Sequence, residues 1–215
     1  MVIAAICALC AGHPPSQLRI RIIDGVAVND RATLLINQLI SELPHDIQLI
    51  APAAAAHTIS ELAVACADGA RVDVPTVLFV LGLQRLRDLR MSDAFAFQNE
   101  RGPGDRFAEL LANGPDGGVH TWVWCDTVGN LSRALNRTAQ RALGQRVAFQ
   151  MSTGDSSDLI DDGSASQLGI HNALLVDFAG GERCKFRPYT PPESSDLSEY
   201  ISAIRVKWNP ISKDQ

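Results

Sequence analysis

Two carboxylates stand where an open α/β sheet does its chemistry. Asp24 ends the apolar run Leu18–Asp24, and Asp126 follows the run Val119–Cys125. Ligands of such sheets bind at the carboxyl ends of the strands, so the residues at those ends come first. They are Asp24-Gly25, the segment Gly82–Arg90 after Thr76–Leu81, Cys125-Asp126-Thr127, and Ser152–Ser157 after Arg146–Met151. Asp126 reads either as a site carboxylate or as the N-cap of a following helix. Asp88 is a second acid in the same region, flanked by Arg85, Arg87 and Arg90. Arg133, Arg137 and Arg141 are spaced four apart, so they line one face of a helix. Arginine suits phosphate clamps and fingers that reach a neighbouring subunit. The plainer reading of Arg133, Arg137 and Arg141 is a solvated face, and that of Arg85, Arg87 and Arg90 is pairing with Asp88 and local carbonyls.

Several chemistries are excluded. A G-x-x-x-x-G-K-[ST] loop needs a lysine after glycine to reach the β- and γ-phosphates. The lysines are Lys185, Lys207 and Lys213, and none follows a glycine or opens a helix after a strand. Gly-x-Ser-x-Gly is absent, and no Ser-His-Asp arrangement stands out. His13, His45, His57, His120 and His171 fall in loops or at element edges and read as structural hydrogen-bonding groups. Cys7 and Cys10 form a lone C-x-x-C with no second pair of ligands, so no metal site is expected. A small-molecule enzyme has no motif in its favour.

The elements that must hold these residues alternate. Six runs have the composition of buried parallel strands: Leu18–Asp24, Asp46–Ile50, Thr76–Leu81, Val119–Cys125, Arg146–Met151 and Ala173–Phe178. Helical stretches lie between them at Arg31–Leu43, Thr58–Ala67, Phe107–Asn113 and Leu131–Leu143. Glycine and proline mark loops at Gly12–Pro15, Gly102–Gly104, Gly114–Gly118 and Pro191-Pro192. The alternation predicts an α/β domain with a mainly parallel sheet flanked by helices. A polar tail over 191–215 follows, in which Ile201–Trp208 would add an edge strand. The stretch Ser92–Asp105 reads as a polar surface loop, with DNA contact as the sharper alternative.

A chain of 215 residues, 46% hydrophobic, can bury a core without disulfide or metal staples. A net charge of −5 argues against broad coating of nucleic acid or an anionic membrane, though not against a local basic patch. Five scattered cysteines fit a reducing, cytoplasmic setting. The apolar start Met1–Gly12 lacks a basic n-region and is too short to span a bilayer. A buried helix is expected there, with no membrane contact.

The order of these pieces resembles the motor domain of FtsK/SpoIIIE-type DNA translocases. The resemblance rests on Gly82–Arg90, Gly118–Asp126, Arg146–Ser152, Asp155–Asp161, Ala165, Leu168-Gly169 and Lys185–Tyr189. Ile22–Asp24 and Leu43–His45 add to it upstream. It covers about residues 1–190, in order and at compatible spacing. It implies a RecA-like P-loop NTPase fold lacking its first strand and its P-loop, with Ile3–Ala11 as the body of the helix that follows that loop. It also implies ATP and Mg²⁺ as cofactors, but only if an upstream P-loop is supplied, and double-stranded DNA as a partner. A homo-oligomer, or the upstream half of the motor domain, would complete it.

Under this resemblance Thr76–Leu81 is the Walker B strand, and Asp24, Gly82, Gln84 and Cys125 fall at nucleotide-binding positions. Asp126, with Asp88 behind it, is the candidate catalytic carboxylate. Arg85, Arg133, Arg137, Arg141 and Arg146 are candidates for DNA or subunit contact. The departures matter equally. Walker B should end in Asp-Glu, to order Mg²⁺ and polarise water; here those places hold Gly82 and Leu83. Two functions follow: part of an ATP-dependent DNA translocase, or an ATPase-like scaffold that binds partners or DNA without hydrolysis.

Overall fold

A computed structural model describes residues 1–26, 31–90, 101–190 and 193–209, without the side chains of residues 31, 32 and 194. The elements run α1 (Val2–Gly12), β1 (Arg19–Asp24), α2 (Arg31–Glu42), β2 (Asp46–Ile50), α3 (Ala55–Ala65), β3 (Thr76–Leu81), α4 (Pro103–Gly117), β4 (Val119–Trp124), α5 (Val128–Ala134), α6 (Arg137–Ala142), β5 (Gln145–Phe149), α7 (Thr153–Ile160), β6 (Ala173–Asp177), β7 (Arg183–Phe186) and α8 (Ser194–Trp208). Most of the stretch Ser92–Asp105, Pro191-Pro192 and the end of the tail lie outside the described residues.

The first four strands form one parallel sheet in the order β2-β1-β3-β4. All six residues of β3 are buried, as a central strand covered on both faces requires. On one face Ile20, Ile22, Val77, Phe79 and Leu81 pack against α1, α2 and α8. On the other, Ile23, Leu78, Val80 and Val119 pack against α3, α4 and α5. The apolar start folds as the expected buried helix, with Ile3, Ile6 and Cys10 turned inward.

The later strands depart from expectation. Arg146–Met151 and Ala173–Phe178 read as parallel strands of the same sheet. They form instead the antiparallel pair β5–β6 of a separate three-stranded sheet, β5-β6-β7. A turn with Gly181 at φ 69° joins β6 to β7, a strand too short and polar to signal itself. This small sheet packs its own core of Ala148, Ile160, Ala165, Leu168, Leu174 and Val176. Leu159 of α7 also packs against the larger core and ties the two together.

Two helices correct the sequence reading. Ile201–Trp208 is no edge strand: it is the second half of α8, whose Leu197, Ile201 and Ile204 enter the core beside α1 and α2. Trp208 Nε1 donates to Cys10 O at 2.7 Å and Lys207 Nζ to Ala11 O at 2.6 Å, taking up carbonyls at the end of α1. The stretch Leu131–Leu143 is not one helix. Leu135 turns extended, and Asn136 starts α6 by accepting from Ala139 N at 2.8 Å. Arg133 therefore lies on a different helix from Arg137 and Arg141, and the three do not line one face. Gly114–Gly117, expected in a loop, is the last turn of α4.

Candidate functional site

The carboxyl edge of the parallel sheet brings Asp24, Gly82, Gln84, Cys125 and Asp126 onto the ends of three neighbouring strands, with Asp24 paired opposite Leu81 and Leu81 opposite Trp124. The edge is closed by a backbone contact. Gly25 N donates to Leu81 O at 2.8 Å, and a Cβ on Gly25 would stand 2.6 Å from that same oxygen. Gly82 adopts φ 71°, and its own Cβ would stand 3.0 Å from the Gly25 carbonyl group. Only paired glycines allow the two chains to touch here. Gly82 spends its N–H on Trp124 O at 3.1 Å, so that donor is engaged within the sheet edge.

Asp24 is half-buried and committed. Its carboxylate accepts from Val26 N at 2.9 Å and from Thr33 Oγ1 of α2 at 3.1 Å. Leu83 is fully buried in the core, so the side chain directly after Gly82 points into packing and not into a polar cleft. Gln84, in a short 3-10 turn, has a buried Oε1 with no hydrogen-bond partner among the described residues. Its backbone N–H faces the Cys125 sulfur, whose thiol is pushed up chiefly by burial.

Asp126 is exposed. Its Oδ1 accepts from Asn130 Nδ2 at 2.8 Å, the bond that chiefly holds its carboxyl below the usual range. Asn130 in turn accepts from Arg133 Nη1 at 2.7 Å. The helix N-cap is Thr127, which accepts from Asn130 N at 3.1 Å, so capping is not the task of Asp126. The sequence reading missed Asn130 and Thr33. The spacing Asp126-x-x-x-Asn130, one helical turn, was the available signal for the first.

Asp88 stands apart from this row, in the 3-10 turn Arg87–Leu89, which packs toward α4. Arg85, Arg87, Arg90, Arg133, Arg137 and Arg141 are all exposed, and none forms an ion pair with a described carboxylate. The turn holding Arg85 packs against α5, which carries Arg133.

Arg146 differs from the other arginines. Its guanidinium donates to three backbone carbonyls: Leu143 O at 3.3 Å, Leu159 O at 2.6 Å and Gln140 O at 3.0 Å. The same group lies 4.5 Å over the Phe178 ring. It staples the end of α6 and the end of α7 to β5, and its donors face these carbonyls.

No cluster of three or more His, Cys, Asp or Glu that could hold a metal ion occurs among the described residues. The residues at the carboxyl edge do not by themselves fit Mg·ATP. There is no lysine in the row, Gly82 offers no side chain, and Leu83 is buried. No hydrolytic step is assigned to them.

No family model matches the sequence, and no curated protein matches it. Solved structures do match. The pCW3 conjugation coupling protein TcpA, in its monomer form with ATPγS, aligns over 93% of this chain with a TM-score of 0.63 and 11% identity. The chain spans 59% of the length of that protein. The genome packaging NTPase B204 from Sulfolobus turreted icosahedral virus 2, in complex with ATPγS, aligns over 88% of this chain and 90% of its own, with a TM-score of 0.56 and 11% identity. B204, the DNA-packaging ATPase from Sulfolobus turreted icosahedral virus, aligns over 88% of this chain and 90% of its own, with a TM-score of 0.54 and 10% identity. At such identities the likeness shows the fold alone: α/β, a parallel sheet flanked by helices, of the RecA-like P-loop NTPase kind.

Proposed function

We propose that this chain forms part of an ATP-dependent, FtsK/SpoIIIE-like motor that moves double-stranded DNA. The observation that carries the reading is the four-strand parallel sheet with its Asp24, Gly82, Gln84, Cys125 and Asp126 row, in a fold shared with a coupling protein and a DNA-packaging ATPase. Phosphate binding in this reading needs a P-loop beyond the row, because backbone N–H groups at a helix start supply much of phosphate affinity. Asp126 is then the carboxylate that faces solvent at the sensor strand, set by Asn130. The exposed arginines Arg85, Arg133, Arg137 and Arg141 face DNA phosphates or a neighbouring subunit in a homo-oligomer. The setting is cytoplasmic; no described helix is long and apolar enough to cross a membrane.

One observation favours a second reading, a scaffold that binds partners or DNA without hydrolysis. The Walker B acid positions hold Gly82 and a fully buried Leu83, and neither binds Mg²⁺ nor accepts a proton. Calorimetry with Mg·ATP, with and without duplex DNA, on the chain joined to a segment that carries a P-loop, separates the two. ATP binding strengthened by DNA, and weakened in Asp126→Asn, supports the motor reading. DNA binding indifferent to ATP supports the scaffold. Binding of neither removes both.

A further inference from the structure

Asp126, Asn130 and Arg133 follow one another at steps of four and three residues, so they share one face at the start of α5. One amide joins the two charges. Asn130 Nδ2 donates to Asp126 Oδ1 at 2.8 Å, while Arg133 Nη1 donates to Asn130 Oδ1 at 2.7 Å. No direct ion pair joins Arg133 to Asp126 among the described residues. The Cys125 thiol lies 3.8 Å from the same carboxylate oxygen. Of the elements packed against α5, the turn Leu83–Arg85 carries Arg85, and α7 carries Asp155 and Asp158. None of these three side chains hydrogen-bonds to Asp126 or Asn130 among the described residues, and Asp155 accepts from Ser152 Oγ at 2.7 Å.

The chemistry of the amide fixes its orientation. An asparagine side chain has one acceptor oxygen and one donor nitrogen. Turned over, it would set Oδ1 against a carboxylate and Nδ2 against a guanidinium, with unfavourable charge at both ends. The two charges therefore select the arrangement observed. They also strengthen one another. A guanidinium drawing on Oδ1 makes the Nδ2 hydrogens better donors, since hydrogen bonds in a chain polarise each other. The Asn130 bond is what chiefly holds the Asp126 carboxyl below its usual range. Coupling of this kind is reciprocal, so whatever removes Arg133 from Oδ1 weakens the bond to Asp126.

We infer that Asn130 is a positioning residue that makes Asp126 answer to Arg133. A phosphate of duplex DNA that draws Arg133 off the amide oxygen loosens the amide's hold on Asp126 and leaves that carboxylate a stronger base. The choice of phosphate rests on the motor reading above, whereas the coupling rests on the three side chains alone.

The test compares the wild type, Asn130→Ala, Arg133→Ala and the double variant. The Asp126 carboxyl is followed by carbon-13 NMR through an acid titration and assigned with Asp126→Asn. Thr127 caps α5, so these substitutions leave the helix start in place. Asn130→Ala should raise the Asp126 midpoint toward the usual carboxylate range. Arg133→Ala should raise it by a smaller step, and the double variant should stand no higher than Asn130→Ala. Asn130→Asp, which keeps the size and sets a like charge there, should raise it further than Asn130→Ala does. Additive steps would mean that Arg133 acts directly through space, which overturns the coupling; so does a midpoint indifferent to Arg133→Ala. At pH 7, duplex DNA should move the Asn130 side-chain amide signal of the wild type to where Arg133→Ala places it. The same duplex should leave that signal unmoved in Arg133→Ala. Duplex binding with no such movement in the wild type overturns phosphate as the trigger. A chain that binds no duplex removes the motor reading and the trigger with it, while the titration still decides the coupling.

Discussion

At the scale of single residues, chemical type is a poor guide to task until the partners are known. Arg146 and Arg141 are five positions apart, yet one is a staple and the other an exposed cation with no ion-pair partner among the described residues. Arg146→Ala leaves three carbonyls without their donor, so it should cost about 1–3 kcal/mol in urea unfolding. Arg146→Lys should recover little, because one ammonium cannot reproduce the planar fork. Arg141→Ala should change stability by less than about 0.5 kcal/mol. The cysteines divide in the same way. Burial, and then the neighbouring Cys7, push the Cys10 thiol up to about 12, while Cys184 is exposed. Iodoacetamide at pH 8 with peptide mapping should label Cys184 first and leave Cys10 unmodified in the folded chain.

At the scale of elements, the glycine contact between the ends of β1 and β3 is the tightest constraint on the site. Gly25→Ala places a methyl 2.6 Å from a backbone oxygen, whereas Gly82→Ala combines a φ of 71° with a 3.0 Å contact. Each should lose about 1–3 kcal/mol, and both should loosen the Asp24 and Cys125 ends. Strand β1 is further tied to β2 by Arg21, which forks onto Asp46 at 2.9 and 2.8 Å. That bond chiefly holds the Asp46 carboxyl below its usual range. Since the folded value is depressed, the contribution is full above about pH 4 and fades as pH falls through the folded value. The carboxylate is exposed, although Arg21 is half-buried, so Asp46→Asn should cost about 1 kcal/mol at pH 7 and less as pH falls toward 2, read from urea midpoints.

At the scale of the whole molecule, a net charge of −5 argues against contact with DNA over the whole surface, so the proposed contact falls to the exposed arginines. If Arg85, Arg137 and Arg141 meet phosphates, the triple alanine variant should weaken duplex binding. It should also flatten the log–log salt slope by about 0.9 per lost contact. An unchanged slope with altered mass in solution would assign them to a subunit interface.

The sequence by itself determined the bounds of β2 and β3, the buried α1 and the parallel α/β sheet, and it holds no G-x-x-x-x-G-K-[ST] motif. Each is written in local pattern: apolar runs of strand length, punctuation by glycine and proline, and a lysine in the wrong place. The break at Asn136 was half legible, since Asn is a good N-cap, but the four-residue arginine spacing suggested continuity. Only the tertiary structure decided that β5 and β6 pair antiparallel in their own sheet, and that Ile201–Trp208 packs as a helix on α1. It also decided that Asp126 answers to Asn130 while Arg146 answers to carbonyls. The reason is physical. A strand's direction, or a guanidinium's partner, is fixed by groups distant in the chain, and local periodicity records only that a face is buried, not against what.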